Sequence, residues 1–261
     1  MYVNSYSIWQ RWLGETAAGW ASRPLKRGDC EEAERIFHGL RLLVRRFGGE
    51  IGEAAALEEF AWEMHRASLD EKARGWLDES LCIHEVRGNL RKSAAILIDL
   101  GTWSSEAEAR RLFKRAANAF TKLGDWAGVA EVEMEFADLE QQGEAWKNVA
   151  LHYSNAIEAA EKADDVGLEA SLMRNMICVA GRLGEIEQAE SWCAKAVERF
   201  VSLGEYSSAG HAFSNLAKEL NAVSLREPAV ASLRKAAEMF RRGQDDSGVQ
   251  CAESWRGEIE S

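Results

Sequence analysis

The chain has 261 residues, 46% of them hydrophobic and 29% charged, enough apolar material for a packed core in one large or two average domains. Its 43 acidic and 32 basic side chains leave a formal charge of −11, which excludes the basic footprint of a general nucleic-acid binder and disfavours an anionic membrane surface. The five cysteines, Cys30, Cys82, Cys178, Cys193 and Cys251, are odd in number and form no CxxC pair, which points to reduced thiols in the cytoplasm rather than a disulfide framework.

Only two prolines occur, and Ala, Glu, Leu and Arg dominate, so an all-α protein is expected. The start, MYVNSYSIWQRWLGE, has no basic lead and apolar core of a targeting segment, and the most apolar run, SAAILIDL (93–100), is too short to span a bilayer.

In chain order, apolar periodicity predicts helices over 5–22 and 29–46, with Pro24 in the connector, then 50–66 and 70–86, then 89–103 and 106–122. The series continues with 125–141 and 144–162, 166–182 and 185–202, and 205–222 and 226–242, where Pro228 lies in a first turn. A lone helix over 246–260 ends it. The second helix of each pair carries one stripe at i, i+4, i+7, i+11, and the stripes superimpose when the chain is slid by forty residues. The columns read Ala109, Phe113, Ala116, Phe120; Val149, Tyr153, Ala156, Ala160; Ala189, Cys193, Ala196, Phe200; and Ala229, Leu233, Ala236, Phe240. Ala73, Leu77, Ser80, His84 and Ala33, Phe37, Leu40, Val44 extend them backwards, with one repeat four residues short.

First helices carry their own stripes: Leu57, Phe60, Ala61 and Met64; Met173, Met176, Ile177 and Ala180; and Phe213, Leu216, Ala217 and Leu220. Gly124 and Gly204 stand where helices must stop and the chain reverse, each followed by an acidic residue at the start of the next helix. No linker interrupts the series, so residues 1–261 read as a single domain: an α-solenoid of about six antiparallel helix pairs plus a C-terminal capping helix. In that last helix Val249, Ala252, Trp255 and Ile259 are expected to pack inward, with Asp245, Asp246, Glu253, Glu258 and Glu260 in water.

GEIEQAESWCAKAV (184–197) and GDCEEAERIF (28–37) resemble the tetratricopeptide repeat (TPR) pattern of Gly, acidic residue, Ala, aromatic and Ala, and NLAKEL (215–220) resembles its first-helix half. The period, about forty, exceeds the usual thirty-four or so. The resemblance implies that first helices line a concave groove and second helices a convex face. It also implies a non-enzymatic protein–protein interaction scaffold or adaptor, of a kind found in bacterial regulatory and defence assemblies. The family's chaperone-tail clamp is not expected, because Cys178 stands where an Asn is needed and the flanking lysines are absent.

Projecting the first helices beside their stripes places Glu58, Glu59, Trp62, Asp99, Glu131, Glu135 and Asp138 on the groove, followed by Arg174 and Asn175, then His211, Asn215 and Lys218. These are the candidate partner-binding residues. They predict a partner protein that is basic where it meets residues 58–138 and acidic or neutral near 174–218. Trp62 has the position of an exposed aromatic anchor. Asn175 and Asn215, forty residues apart, either bind a peptide backbone or brace neighbouring helices.

No catalytic, metal or cofactor site is expected. HEVRG (84–88) lacks the second His of a zinc helix, Cys82 and His84 point apart on a helix, and GGEIG (48–52) follows no strand. Basic clusters at 41–46, 110–115 and 241–243 support the alternative of nucleic-acid binding on the convex face.

Overall fold

The computed structural model describes residues 5–261, with side chains from Ile8 onward. Every regular element among them is a helix. Cα packing divides the chain into two compact units, Met1–Gly124 and Asp125–Ser261.

The first unit holds α1 (Ser5–Ala21), a short 3-10 turn (Arg23–Arg27), α2 (Cys30–Arg66), α3 (Asp70–Val86), α4 (Leu90–Thr102) and α5 (Glu106–Leu123). The expected loop between residues 46 and 50 is reduced to one non-helical residue inside α2, Gly49 at φ 64° and ψ −165°, a conformation open to glycine. There the chain reverses, and its two limbs lie against each other with the Phe37 and Phe60 rings stacked 4.1 Å apart. At Gly14 on α1, an added Cβ would come within 2.5 Å of the Gly52 carbonyl oxygen, so only glycine admits this backbone approach.

The second unit holds α6 (Trp126–Gln142), α7 (Trp146–Lys162), α8 (Val166–Arg182), α9 (Ile186–Ser202), α10 (Tyr206–Ala222), α11 (Arg226–Arg242) and α12 (Asp246–Glu260). Its turns are strictly repeated: residues 124, 144, 164, 184, 204, 224 and 244 all have positive φ, at intervals of twenty. At the turn after α9, the Gly204 amide donates to the Val201 carbonyl at 3.1 Å and the Glu205 amide to that of Phe200 at 2.8 Å. This pair of bonds satisfies carbonyls that a helix end leaves open. The next residue starts the following helix: after Gly124, the Asp125 carboxylate caps α6 by accepting from the Gly128 amide at 3.3 Å.

The stripes form the core. Of the 24 column residues all are buried except Leu40, which is half-covered. In α12, Ala252 and Ile259 are buried and Val249 and Trp255 pack against the same core, while Asp246, Glu258 and Glu260 are exposed. Asp245, which accepts from the Gly248 amide, and Glu253, which pairs with Arg241, are half-covered rather than in open water. No helix among the described residues is long and apolar enough to cross a membrane.

Candidate protein-binding surfaces

Helical periodicity sets which side chains leave the core, so each first helix presents the residues flanking its stripe. In the first unit these are Glu58, Glu59 and Trp62 on the second limb of α2, and the half-buried Asp99 on α4. They do not form the expected open acidic face. Glu58 Oε1 accepts from Ser80 Oγ at 3.1 Å and meets His84 Nε2 at 2.9 Å, while Lys92 Nζ donates to Oε2 at 3.2 Å. Burial pushes the Glu58 carboxyl up, but the His84 hydrogen bond and the Lys92 ammonium outweigh it and hold the group below the ordinary glutamate value. Its charge is spent inside the fold, which corrects the expectation that it awaits a basic partner. Glu59 has the Arg66 guanidinium at 3.6 Å.

Trp62 is 36% exposed and rests edge-on against Trp103, with centroids 4.8 Å apart, while His65 stacks on Trp103 at 4.2 Å. A cleft of about 430 Å³ lies before these residues, with Arg11, Glu58, Glu59, Trp62, His84 and Lys92 in its walls.

The second unit is different. Glu131, Glu135 and Asp138 follow one another along α6, the first and last exposed and Glu135 half-buried. Among the described residues no hydrogen bond or ion pair reaches any of them, and all three carboxyls are pushed above their ordinary values. Partial burial is the main cause for each; for Glu135 the negative charges of Asp138 and Glu131 add to it.

Behind this row stands Tyr153 of α7, its hydroxyl pushed up by burial and by Asp138, and held back by the side chain of Asn175 on α8. Asn175 lies beside Tyr153. Its repeat equivalent, Asn215, faces the register where Cys193 replaces Tyr153, and no hydrogen bond to its side chain occurs among the described residues. Arg174 lies 5.8 Å from the Phe200 ring centroid, His211 stands edge-on to Phe240 at 5.0 Å, and Lys218 is exposed. Tyr153 was legible only as a core residue; its polar tip in an otherwise apolar column was the available signal.

The basic clusters are largely matched by glutamates. Arg41 bonds Glu53 at 2.7 Å and Glu79 at 2.6 Å, and Arg45 lies 3.4 Å from Glu53. Arg110 pairs with Glu106, Arg115 with Glu85 and Arg241 with Glu253. This geometry gives the nucleic-acid reading no support.

No protein-family profile matches the sequence, and no curated protein matches it. Among solved structures, it is similar to a signal transduction ATPase with numerous domains (STAND) from Pyrococcus horikoshii that carries a tetratricopeptide repeat sensor, with a TM-score of 0.61 and 18% identity over 92% of this chain. The chain spans 37% of that protein's length. It is also similar to aspartyl phosphate phosphatase F from Bacillus subtilis, with a TM-score of 0.63 and 11% identity over 96% of this chain and 76% of that one. These likenesses define the fold class: the all-α helical repeat that the residue columns predicted, of the tetratricopeptide type that the motif resemblance implied.

Proposed function

We propose that this chain is a non-enzymatic scaffold that binds another protein on its first-helix face, with a cationic segment lying along Glu131, Glu135 and Asp138. The observation that carries the reading is that these three carboxylates sit partly desolvated beside one another, with no cation among the described residues to answer them. A Lys or Arg side chain placed between them would relieve their repulsion and gain attraction in a partly water-excluded site. Asn175, Asn215, Arg174 and Lys218 continue the face with amide and basic groups, suited to a neutral or acidic continuation of the same segment. The resemblance to tetratricopeptide repeats supports a bacterial regulatory or defence assembly as the setting.

Affinity purification from the native host, with the wild type and Glu135→Lys/Asp138→Lys run side by side, tests this. The expected result is one or more proteins recovered by the wild type and lost by the variant, with calorimetry on the purified partner showing affinity that weakens as salt rises. Equal recovery by both chains, with unchanged affinity, contradicts it.

A further inference from the structure

Between α1 and the first limb of α2 the first unit presents an apolar slot. Leu13, Ala17 and Trp20 on one side and Leu40, Leu43 and Phe47 on the other line a groove of about 220 Å³. Trp20 is 58% exposed, Leu43 53% and Phe47 67%. Large aromatic and aliphatic side chains left open together mark an interaction surface.

The rim names the chemistry. The Arg23 guanidinium sits 4.3 Å from the Trp20 ring centroid and that of Arg46 5.8 Å from Phe47, one on each aromatic wall. Neither makes an ion pair among the described residues, whereas the nearby Arg41 and Arg45 are taken by Glu53 and Glu79. We infer that this slot receives an acidic amphipathic helix of another protein, its apolar stripe on Trp20, Leu43 and Phe47 and its carboxylates on Arg23 and Arg46.

An extended segment fits less well. The groove walls are helices whose backbone groups are already bonded, so an extended chain would press unpaired amides onto an apolar floor, whereas a helix brings its own hydrogen bonds. A second copy docking by the same face would set Arg23 and Arg46 against their own equivalents, a repulsive arrangement.

The test uses a synthetic peptide of about 18 residues, long enough to become helical on contact. It carries Leu at i, i+3, i+4 and i+7 with Glu flanking the stripe; a second peptide has Lys in place of every Glu. Binding is read by fluorescence polarisation. The Glu peptide is expected to bind at least about tenfold more tightly than the Lys peptide, and Arg23→Glu/Arg46→Glu to invert the order. Leu43→Glu, on an exposed site, should abolish binding with an unchanged melting curve. Equal affinity for the two peptides, or binding indifferent to Leu43→Glu, overturns the proposal. So does a dimer in sedimentation velocity that Leu43→Glu dissolves, or cosedimentation with phosphatidylserine vesicles that the same change removes.

Discussion

Glu58 and Glu135 both flank the core stripes of first helices, one in each unit and one position apart in the repeat register, and the fold treats them in opposite ways. Glu58 is surrounded by Ser80, His84 and Lys92, which hold its charge in place. Glu135 is flanked by Glu131 and Asp138, which oppose its charge. A glutamate flanking the core stripe thus ties helices together in residues 1–124, whereas one flanking it in residues 125–261 stays electrostatically open. A carboxylate on a solenoid face marks a binding surface only when the fold leaves it unanswered.

The contrast presumes that both faces rest on equivalent cores. Phe60→Ala and Phe200→Ala should therefore each destabilise by about 3–5 kcal/mol in chemical denaturation, since both rings are fully buried. Glu198→Ala, exposed and two residues from Phe200, should cost less than about 0.5 kcal/mol. A small loss at one Phe and a large one at the other would mean that the cores differ, and with them the ground for comparing the faces.

Next in size is the removal of the tie itself. Glu58→Gln withdraws the charge that holds buried His84 and Lys92, and should cost about 1–3 kcal/mol. A loss below about 0.5 kcal/mol, the ordinary surface scale, would place Glu58 among the open carboxylates.

The left-handed turns give a further comparison. Residues 124 to 244 repeat one left-handed turn every twenty positions, and Glu144 stands where Gly184 and Gly204 serve elsewhere. The left-handed region costs a non-glycine residue about 1–2 kcal/mol, partly offset by glycine's greater unfolded-state freedom. Glu144→Gly should raise stability by about 0.5–1 kcal/mol. A loss instead would show that the Glu144 side chain makes a contact worth more than the strain.

Most of this architecture was legible in the sequence. Stripes forty residues apart gave every helix pair within a few residues, because burial on one face is a local property of a periodic sequence. The Gly49 reversal ran the helices at 29–46 and 50–66 almost together, since a single glycine sufficed where a loop was expected. The turns at Glu144, Asp164, Ser224 and Gln244 carry no glycine at the left-handed position, whereas Gly124, Gly184 and Gly204 mark theirs. Charge pairing was the least legible feature. His84 lies 26 residues from Glu58 and Lys92 lies 34 away, and nothing local to the Glu58 helix indicates either. The arginine clusters concealed their partners in the same way.

Smallest in energy and most direct in meaning is the titration of the two carboxyls themselves. A lowered folded-state value for Glu58 means that its contribution to stability is present at neutral pH and is lost as pH falls through that value. A raised value for Glu135 has the opposite sign: it costs stability at neutral pH and the cost is relieved as pH falls through it, so Glu135→Gln should be neutral or stabilising within about 0.5 kcal/mol. Carbon-13 NMR of the side-chain carboxyls, followed from neutral to acidic pH in one sample of the full chain, reads both groups at once. The account predicts Glu58 titrating below the ordinary glutamate value and Glu135 above it, with Glu131 and Asp138 also raised above their ordinary values. If instead Glu135 titrates at or below Glu58, the α6 row is already neutralised within the fold and is not the open face that a cationic partner requires.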